Sequence, residues 1–362
     1  MPDRLTRPHR DGRLLITADA VGGVWPYSID LAAGLAERGI DTVLAVMGPA
    51  VSPLQRAEAA AVPGLHLVET GLPLDWTARW PSELAEASER LAALAALTGV
   101  DGVHLHSPAL VGAARWPVPV VAVCHSCVAT WWKAVRGGPM PDDFAWRMAA
   151  VSAGVRAAGA VIAPTAAHAS ATQAVYGPVP IHVVPNGRRP LPRPDRPRQP
   201  AVLTAGRLWD EGKGAAMLDR AAAGLGVPVL AAGALAAPDG TAVSFQHMHA
   251  LGTLGSAELA AAYGGATVFA SMAGYEPFGL AVLEAAQAGL ALVLLDTPGF
   301  RELWDGAALF VANEAALQPT LRRALANPAP WASRAQAQAG RYTVAAMADG
   351  TLGVHRALVM VA

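Results

Sequence analysis

The chain alternates short apolar runs with longer, alanine-rich amphipathic stretches. Short apolar runs predict buried strands, and amphipathic stretches that end at a glycine predict helices. In the first half the predicted strands are LLIT (14–17), TVLAVMG (42–48), VPVVAVCHS (118–126), AGAVIAPT (158–165) and IHVVPNG (181–187), and the clearest helices are YSIDLAAGLAERG (27–39) and SELAEASERLAALAALTG (82–99). This alternation is typical of a parallel, doubly wound α/β sheet with helices on both faces.

The pattern breaks at RRPLPRPDRPRQP (188–200) and restarts at AVLTAGRL (201–208). Proline blocks helix and ladder hydrogen bonds and we expect the arginines to stay solvated, so the segment predicts a semi-rigid linker; a Pro-rich recognition motif is the alternative. We therefore expect domains at 1–187 and 201–340, followed by a final amphipathic helix at 341–362. Ligands of such sheets bind beyond the carboxyl ends of the strands, in this case in the cleft between the domains.

Composition supports two folded domains and excludes several classes of protein. The 362 residues are 53% hydrophobic and 15% charged, which excludes general disorder, and the formal net charge of -1 argues against a nucleic-acid or anionic-membrane binder. The sequence shows neither a signal-peptide pattern nor an apolar run of about 18 residues, and it has two cysteines, so we expect a cytoplasmic protein without an integral membrane segment. Cys124 and Cys127 lack partners for a zinc site and a thioredoxin-like context, and we interpret them as packed thiols.

Segment 274–296 carries the most informative chemistry. Pro277 suits the first turn of a helix, which places Glu276 at the entrance and Gly289 at the C-terminal stop. Glu284 then lies about 12 Å further along the helix axis. Two acceptors at that spacing, with free helix N–H groups between them, suit a nucleotide sugar. The alternative is a structural Glu284–Arg pair with Glu276 as a cap-region residue.

Two loops can supply groups that bind phosphate. Arg207 and Lys213 follow the first strand of the second half, where two cations would stabilise a departing diphosphate; a solvated basic loop is the alternative. Gly22 and Gly23 follow the first strand of the chain and allow backbone N–H groups to approach a phosphate or a sugar. A G-x-G-x-x-G fingerprint is absent there, which argues against a dinucleotide oxidoreductase.

Five segments together resemble the retaining glycosyltransferases of family 4, including the E-x7-E signature of that family. They are ADAVGGVWPYSIDLAAGLAERG (18–39), VPNG (184–187), AGRLWDEGKG (205–214), HALGTLGSAELAAAYGGATVFAS (249–271) and YEPFGLAVLEAAQAG (275–289). The resemblance implies the GT-B fold: two doubly wound, Rossmann-like domains that face each other across a cleft, the first binding the acceptor and the second the nucleotide-sugar donor. It also implies that the final helix crosses back to the first domain.

The resemblance also implies roles for individual residues. The catalytic set is His125, Arg207, Lys213 and Glu276, and the donor-binding set is Gly22, Gly23, Leu254, Phe278, Gly279, Leu280 and Glu284. Among the remaining aromatic and histidine side chains, we expect Trp25 and His106 to face the acceptor. One departure is Pro298-Gly299, where the family has a Gly-Gly pair before the residue that corresponds to Glu302.

The resulting hypothesis is a retaining, front-face glycosyltransferase that needs neither a metal nor a cofactor. Its donor would be a nucleoside-diphosphate sugar of the UDP or GDP type, and its acceptor a small, apolar or aromatic molecule. We expect a monomer or a homodimer. The alternatives are a GT-B nucleotide-sugar epimerase or phosphorylase and a non-catalytic nucleotide-sugar-binding protein.

Overall fold

The first half of the chain forms a seven-stranded parallel sheet. The computed structural model describes residues 12–192, 197–237 and 240–361, without the side chains of residues 359 and 361. The strand order is β3-β2-β1-β4-β5-β6-β7. The strands are β1 (Gly12–Asp19), β2 (Ile40–Met47), β3 (Leu65–Glu69), β4 (Gly102–Leu105), β5 (Val120–Val123), β6 (Ala160–Ala163) and β7 (His182–Val183).

Helices cover both faces of this sheet. They are α1 (Val24–Ala36), α2 (Pro53–Ala60), α3 (Pro81–Thr98), α4 (Val128–Val135), α5 (Ala145–Ala157) and α6 (Ala166–Tyr176). Successive side chains of a strand point to opposite faces, so Leu15 packs into one apolar core while its neighbours Leu14 and Ile16 pack into the other. This two-sided burial explains why the central strands read as continuous apolar runs.

The second half forms a six-stranded parallel sheet of order β10-β9-β8-β11-β12-β13. Its strands are β8 (Val202–Ala205), β9 (Val229–Ala232), β10 (His249–Gly252), β11 (Val268–Ser271), β12 (Ala291–Leu295) and β13 (Ala308–Val311). Its helices are α7 (Ala215–Ala222), α8 (Ser256–Gly265), α9 (Leu280–Gln287), α10 (Pro298–Trp304), α11 (Glu314–Ala326) and α12 (Ala329–Ala339). The predicted pair of doubly wound α/β sheets is confirmed.

In both sheets the strand order reverses beside the first strand of the half. In the first sheet the reversal lies between β1 and β4, and in the second between β8 and β11. Loops after such a pair of strands diverge to opposite faces and leave a crevice in which ligands bind. The functional groups are therefore expected in the loops after β1, β4, β8 and β11.

The last helix, α13 (Val344–Val361), packs on the first half of the molecule. Met347, Ala348 and Leu352 of α13 join the core that contains α1. A Cβ atom at Gly34 of α1 would come within 2.9 Å of the Ala348 side chain, so this close helix approach requires the glycine. Within the described residues, every helix is too short or too polar to cross a lipid bilayer.

The predicted linker is more tightly bound than its composition suggested. The expectation that its arginines stay solvated is wrong for Arg188, whose side chain is 15% exposed and lies between two carboxylates. Arg198 donates to the carbonyl oxygens of Tyr263, Ala266 and Ala288. Carboxylates and helix-end carbonyl groups that are shielded from water need donors, and these two arginines supply them. Residues 193–196 of the predicted linker lie outside the described part of the chain.

Candidate active site

The loops after β1 and β8 meet across the space between the two sheets. Gly22 has φ of +85°, a conformation that favours glycine, and a Cβ atom there would lie 3.7 Å from Nη1 of Arg207. A Cβ atom at Gly23 would lie 3.7 Å from Leu280 Cδ1, at the start of α9. The structure thus brings together the glycine loop, Arg207 and the beginning of α9, which were predicted separately.

Lys213 and Glu276 form an ion pair in this crevice. The Lys213 ammonium group donates to Glu276 Oε2 at 2.7 Å, and each side chain is 19% exposed. The next residue, Gly214, has φ of +65°, and a Cβ atom there would collide with the carbonyl oxygen of Met272 in the loop after β11. The glycine therefore lets the lysine loop lie against the glutamate loop. The predicted cation and carboxylate are side by side.

The helix after Glu276 begins later than expected. Gly279, with φ of +89°, is the N-cap of α9, and Leu280 is its first residue. The expectation that Pro277 occupies the first turn is therefore wrong, and the 12 Å separation inferred for one continuous helix does not apply. Pro277 instead lies in the loop, where its carbonyl oxygen accepts from the Thr165 hydroxyl at 2.9 Å.

The start of α9 suits an anion. Gly279 has no side chain to cap the helix, so within the described part of the chain the N-cap position supplies no side-chain acceptor for the first-turn N–H groups of α9. Such groups, together with the helix dipole, form a ready phosphate-binding site. The preceding Phe278 side chain is buried, with its ring edge-on to Tyr342 at 5.6 Å between centroids, and it anchors the loop.

Glu284 lies one turn after Leu280 and is 8% exposed. Arg188 Nε donates to its Oε1 at 2.7 Å, and the Tyr263 hydroxyl lies 3.2 Å from its Oε2. The Glu–Arg pair that the sequence left as an alternative is therefore present. Sequence reasoning missed the identity of the arginine, although Arg188 directly follows the VPNG segment.

The first sheet contributes a group of imidazole rings. His125 follows β5 and His106 follows β4, and His125 Nε2 lies 3.1 Å from His106 Nδ1. The Tyr27 ring meets both rings edge-on, with centroids 4.5 Å from His125 and 5.2 Å from His106. Burial lowers the pKa of His125 to about 3, and it also lowers the pKa of His106. Both rings are consequently neutral near pH 7 and act as hydrogen-bonding groups rather than as cations.

Asp19, at the carboxyl end of β1, was not singled out from the sequence. Its side chain is 8% exposed, and burial raises its pKa to about 6, an effect opposed by the backbone N–H of Val21 and by Arg207. A carboxylate that ends a buried strand beside a glycine loop was the available signal. Asp19 adds a titratable group next to the Arg207 guanidinium.

The structure corrects the expectation for Trp25. Its side chain is 4% exposed and packs in the core beneath α1, and its indole N–H donates to Glu58 Oε2 at 2.7 Å. The first turn of α1 directs this ring inward, so it does not face an acceptor. Leu254, between β10 and α8, is partly buried against the core of the second sheet.

Several contacts join the two halves around the crevice. The Tyr275 hydroxyl lies 2.8 Å from the Thr130 hydroxyl, and Trp131 Nε1 donates to Asp210 Oδ1 at 3.0 Å. Glu302 accepts hydrogen bonds from the first two backbone amides of α6, at 2.8 and 2.7 Å. The carboxylate of one half thus caps a helix of the other and helps to hold the two halves together.

Within the described ranges, no three His, Cys, Asp or Glu side chains are grouped closely enough to hold a metal ion. Cys124 is buried and Cys127 is partly buried, and both are free thiols.

Two family models match the sequence, and together they span most of it. Residues 21–190 match the model described as Glycosyltransferase Family 4, and residues 199–327 match the model described as Glycosyl transferases group 1. The two matches meet at the segment that joins the two sheets. No curated protein matches the sequence significantly.

Solved structures share the complete fold at low sequence identity. Sucrose-phosphate synthase from Thermosynechococcus elongatus superposes with a TM-score of 0.78 at 18% identity, over 97% of this chain and 100% of that chain. HepE from Anabaena, solved with UDP and glucose, gives 0.71 at 16% identity, over 96% and 100%. AviGT4, a glycosyltransferase involved in avilamycin A biosynthesis, gives 0.66 at 17% identity, over 97% and 99%. At these identities the likeness establishes the fold.

Proposed function

Because this chain belongs to the family 4 glycosyltransferases and has the GT-B fold, we propose that it transfers a sugar from a nucleoside-diphosphate sugar to a small-molecule acceptor, with retention at the anomeric carbon. The observation that carries the proposal is the crevice in which Arg207, the Lys213–Glu276 pair and the first turn of α9 converge opposite Gly22. Two cations and a row of free N–H groups suit a diphosphate.

In this proposal the donor lies mainly on the second half of the molecule. The diphosphate binds the N–H groups of Phe278, Gly279 and Leu280, and Glu284 accepts from the ribose hydroxyls. Arg207 and Lys213 stabilise the negative charge that grows on the β-phosphate as the sugar departs. The protein cations take this role without a metal. The UDP complex of HepE supports a donor of the UDP type, with GDP as the other base to be tested.

The reacting sugar lies between the halves. Glu276 and His125 hold its hydroxyl groups, and neutral His125 can both donate and accept a hydrogen bond. The bond from the anomeric carbon to the phosphate oxygen breaks, and the bond to the acceptor oxygen forms on the same face. The acceptor proton passes to the departing diphosphate. Closure of the crevice excludes water during this step.

The acceptor binds on the first half, close to His106. Trp25 lies in the core, so another aromatic side chain has to supply the acceptor contact. Trp76 is an alternative because it is 43% exposed and follows Asp75, whose carboxylate accepts from Ser107 in the loop after β4. An apolar or aromatic acceptor fits this environment. A cytoplasmic monomer or homodimer remains part of the proposal.

The first test is a thermal-shift screen with UDP, GDP, ADP and TDP and their sugars, since a ligand that binds the folded state raises its melting temperature. Incubation of the best donor with a panel of small phenolic acceptors follows, with NMR assignment of the anomeric configuration of the product. We expect a retained anomer, with transfer reduced in Arg207→Ala and unchanged in Arg115→Ala, an exposed arginine of the first half. An inverted product contradicts the mechanism, and conversion of the donor to another nucleotide sugar without acceptor indicates an epimerase.

A further inference from the structure

One arginine joins the donor-side glutamate to the first half of the molecule. Arg188 Nε donates to Glu284 Oε1 at 2.7 Å, and Arg188 Nη1 donates to Asp30 Oδ2 at 2.7 Å. Glu284 belongs to α9 of the second half, whereas Asp30 belongs to α1 of the first. The Asp30 side chain is fully buried, and those of Glu284 and Arg188 are 8% and 15% exposed. The bridge therefore lies in the interior, where an ion pair is weakly screened.

The charges around this bridge are balanced. Arg189 Nε donates to the other oxygen of Asp30 at 2.6 Å, so two guanidinium groups face two carboxylates. Arg189 differs from its neighbour in two respects: its side chain is 56% exposed, and its described carboxylate partner is Asp30, not Glu284. The chain thus offers a matched pair of adjacent arginines, of which one contacts the donor-side glutamate.

The backbone of Arg188 is also held in place. Gln287 of α9 donates its side-chain amide to the Arg188 carbonyl oxygen at 2.8 Å. A Cβ atom at Gly187 would collide with the carbonyl oxygen of Thr343, so the residue before Arg188 has to be glycine for the chain to pass. An arginine fixed at both its backbone and its guanidinium group holds its partners in one geometry.

The position of Glu284 suits a diol. Leu280 and Glu284 are four residues apart on α9 and share a face of the helix, and Leu280 lies against Gly23 of the first half. A carboxylate offers about four acceptor positions. Of the described side chains, Arg188 and Tyr263 supply its donors, one on each oxygen. One acceptor position per oxygen remains, which matches the two hydroxyl donors of a ribose.

We propose that Arg188 is a positioning residue that holds the Glu284 carboxylate oriented for the ribose diol. Through Asp30, it makes ribose recognition depend on the position of α1. This inference rests on the proposed function, because it assumes a nucleoside diphosphate in the crevice.

The test compares two ligands that differ in the diol alone. Isothermal titration calorimetry would measure the Kd of UDP or GDP, whichever binds more tightly, and of its 2′,3′-dideoxy analogue. Hydrogen bonds to a charged group change affinity by on the order of tenfold or more, so we expect the ribose form to bind at least about tenfold more tightly to the unaltered protein. In Arg188→Met the ratio should fall to about twofold. In the control Arg189→Met it should stay near that of the unaltered protein.

The outcomes separate the inference from the proposed function. If neither diphosphate binds the unaltered protein, the donor proposal fails and the inference fails with it. If the diphosphates bind without discrimination, Glu284 is not a ribose acceptor and the inference is overturned, while diphosphate binding stands. If the unaltered protein discriminates and Arg188→Met discriminates equally, the role of Arg188 is wrong and the donor proposal survives.

Two further variants address folding and coupling. If Arg188→Met fails to fold, Arg188→Lys provides the test. One ammonium group cannot reproduce contacts that are made through two separate guanidinium nitrogens, so we expect a lower affinity ratio in this variant. A ratio equal to that of the unaltered protein contradicts the proposal. Asp30→Asn keeps the Arg188–Glu284 contact and removes its charged anchor on α1. We expect it to lower the ratio, and an unchanged ratio refutes the coupling through α1.

Discussion

Replacement of Lys213 by alanine tests the leaving-group proposal most directly. The Lys213 ammonium group lies 2.7 Å from Glu276 Oε2, and both side chains are 19% exposed, so a phosphate in the crevice would meet a cation that is partly shielded from water. Two unit charges about 4 Å apart interact by about 4 kcal/mol at an effective dielectric constant of about 20. Arg207 remains in the variant and compensates in part. We therefore assign about 3 kcal/mol of transition-state stabilisation to Lys213, which corresponds to about 100-fold in kcat.

The chain provides a suitable control, because its only other lysine is Lys133, an exposed residue of α4. Transfer should be followed under single-turnover conditions with the best donor, for the unaltered protein, Lys213→Ala, Lys213→Arg and Lys133→Ala. We expect a loss of about 100-fold in Lys213→Ala, a smaller loss in Lys213→Arg, which keeps the charge, and unchanged rates in Lys133→Ala.

A second measurement does not depend on turnover. Acetylation of the folded protein, read by mass spectrometry of the two lysine-containing peptides, should slow at Lys213 when nucleoside diphosphate is added and proceed unchanged at Lys133. A rate of Lys213→Ala within threefold of the unaltered protein, together with equal acetylation of Lys213 with and without ligand, would refute the reasoning.

Three further predictions concern groups around the crevice. Because burial raises the pKa of Asp19 from 3.8 to about 6, ionisation of Asp19 lowers the stability of the folded state as the pH rises through that interval. Asp19→Asn should therefore raise the free energy of unfolding, measured in urea, by up to about 3 kcal/mol at pH 7.5 and change it little below pH 4. A difference between the two proteins that stays constant across this pH range would contradict the prediction. Glu302→Ala removes the carboxylate that caps α6 and should accelerate hydrogen–deuterium exchange at the start of α6. The control Arg301→Ala removes ion pairs within the second half and should leave this exchange unchanged. Equal exchange rates at the start of α6 in both variants would contradict the capping role of Glu302. Trp25→Phe removes the hydrogen bond to Glu58 and should destabilise the protein by about 1 kcal/mol without changing the kinetics of transfer. A rise in the KM for the acceptor alone would contradict this and indicate that Trp25 contacts the acceptor.

The order of elements and the sheet class follow from the sequence because their signals are local. Apolar runs and glycine stops depend on nearest neighbours, and nearly every predicted strand is present. β3 (Leu65–Glu69) and β10 (His249–Gly252) were not predicted. The mixed, exposed composition of β10 lacks the alternation of a half-buried strand. The start of α9 was also misplaced. Pro277 gives a strong local signal, but the positive φ of Gly279 and the contact of Pro277 with Thr165 end the loop three residues later.

The site residues divide in the same way. Arg207, Lys213 and Glu276 could be proposed from loop position, and the structure brings them to one crevice. The bridge between Asp30 and Glu284 could not be predicted, because it joins residues 254 positions apart through an arginine that composition placed in a solvated linker. Trp25 was misassigned for a related reason. A side chain next to a functional loop can face the cleft or the core, and the position of Trp25 on the buried face of α1 turns it to the core.

The path of α13 has a consequence for biosynthesis. Met347, Ala348 and Leu352 complete the apolar core that begins with Leu14 and Ile16 of β1. The ribosome synthesises the chain from its amino-terminal side, so the strands of the first sheet are complete at β7 (His182–Val183), about 160 residues before α13 begins at Val344. During translation one flank of α1 stays uncovered, and we expect the nascent first half to need chaperone protection until α13 has emerged and packed against it.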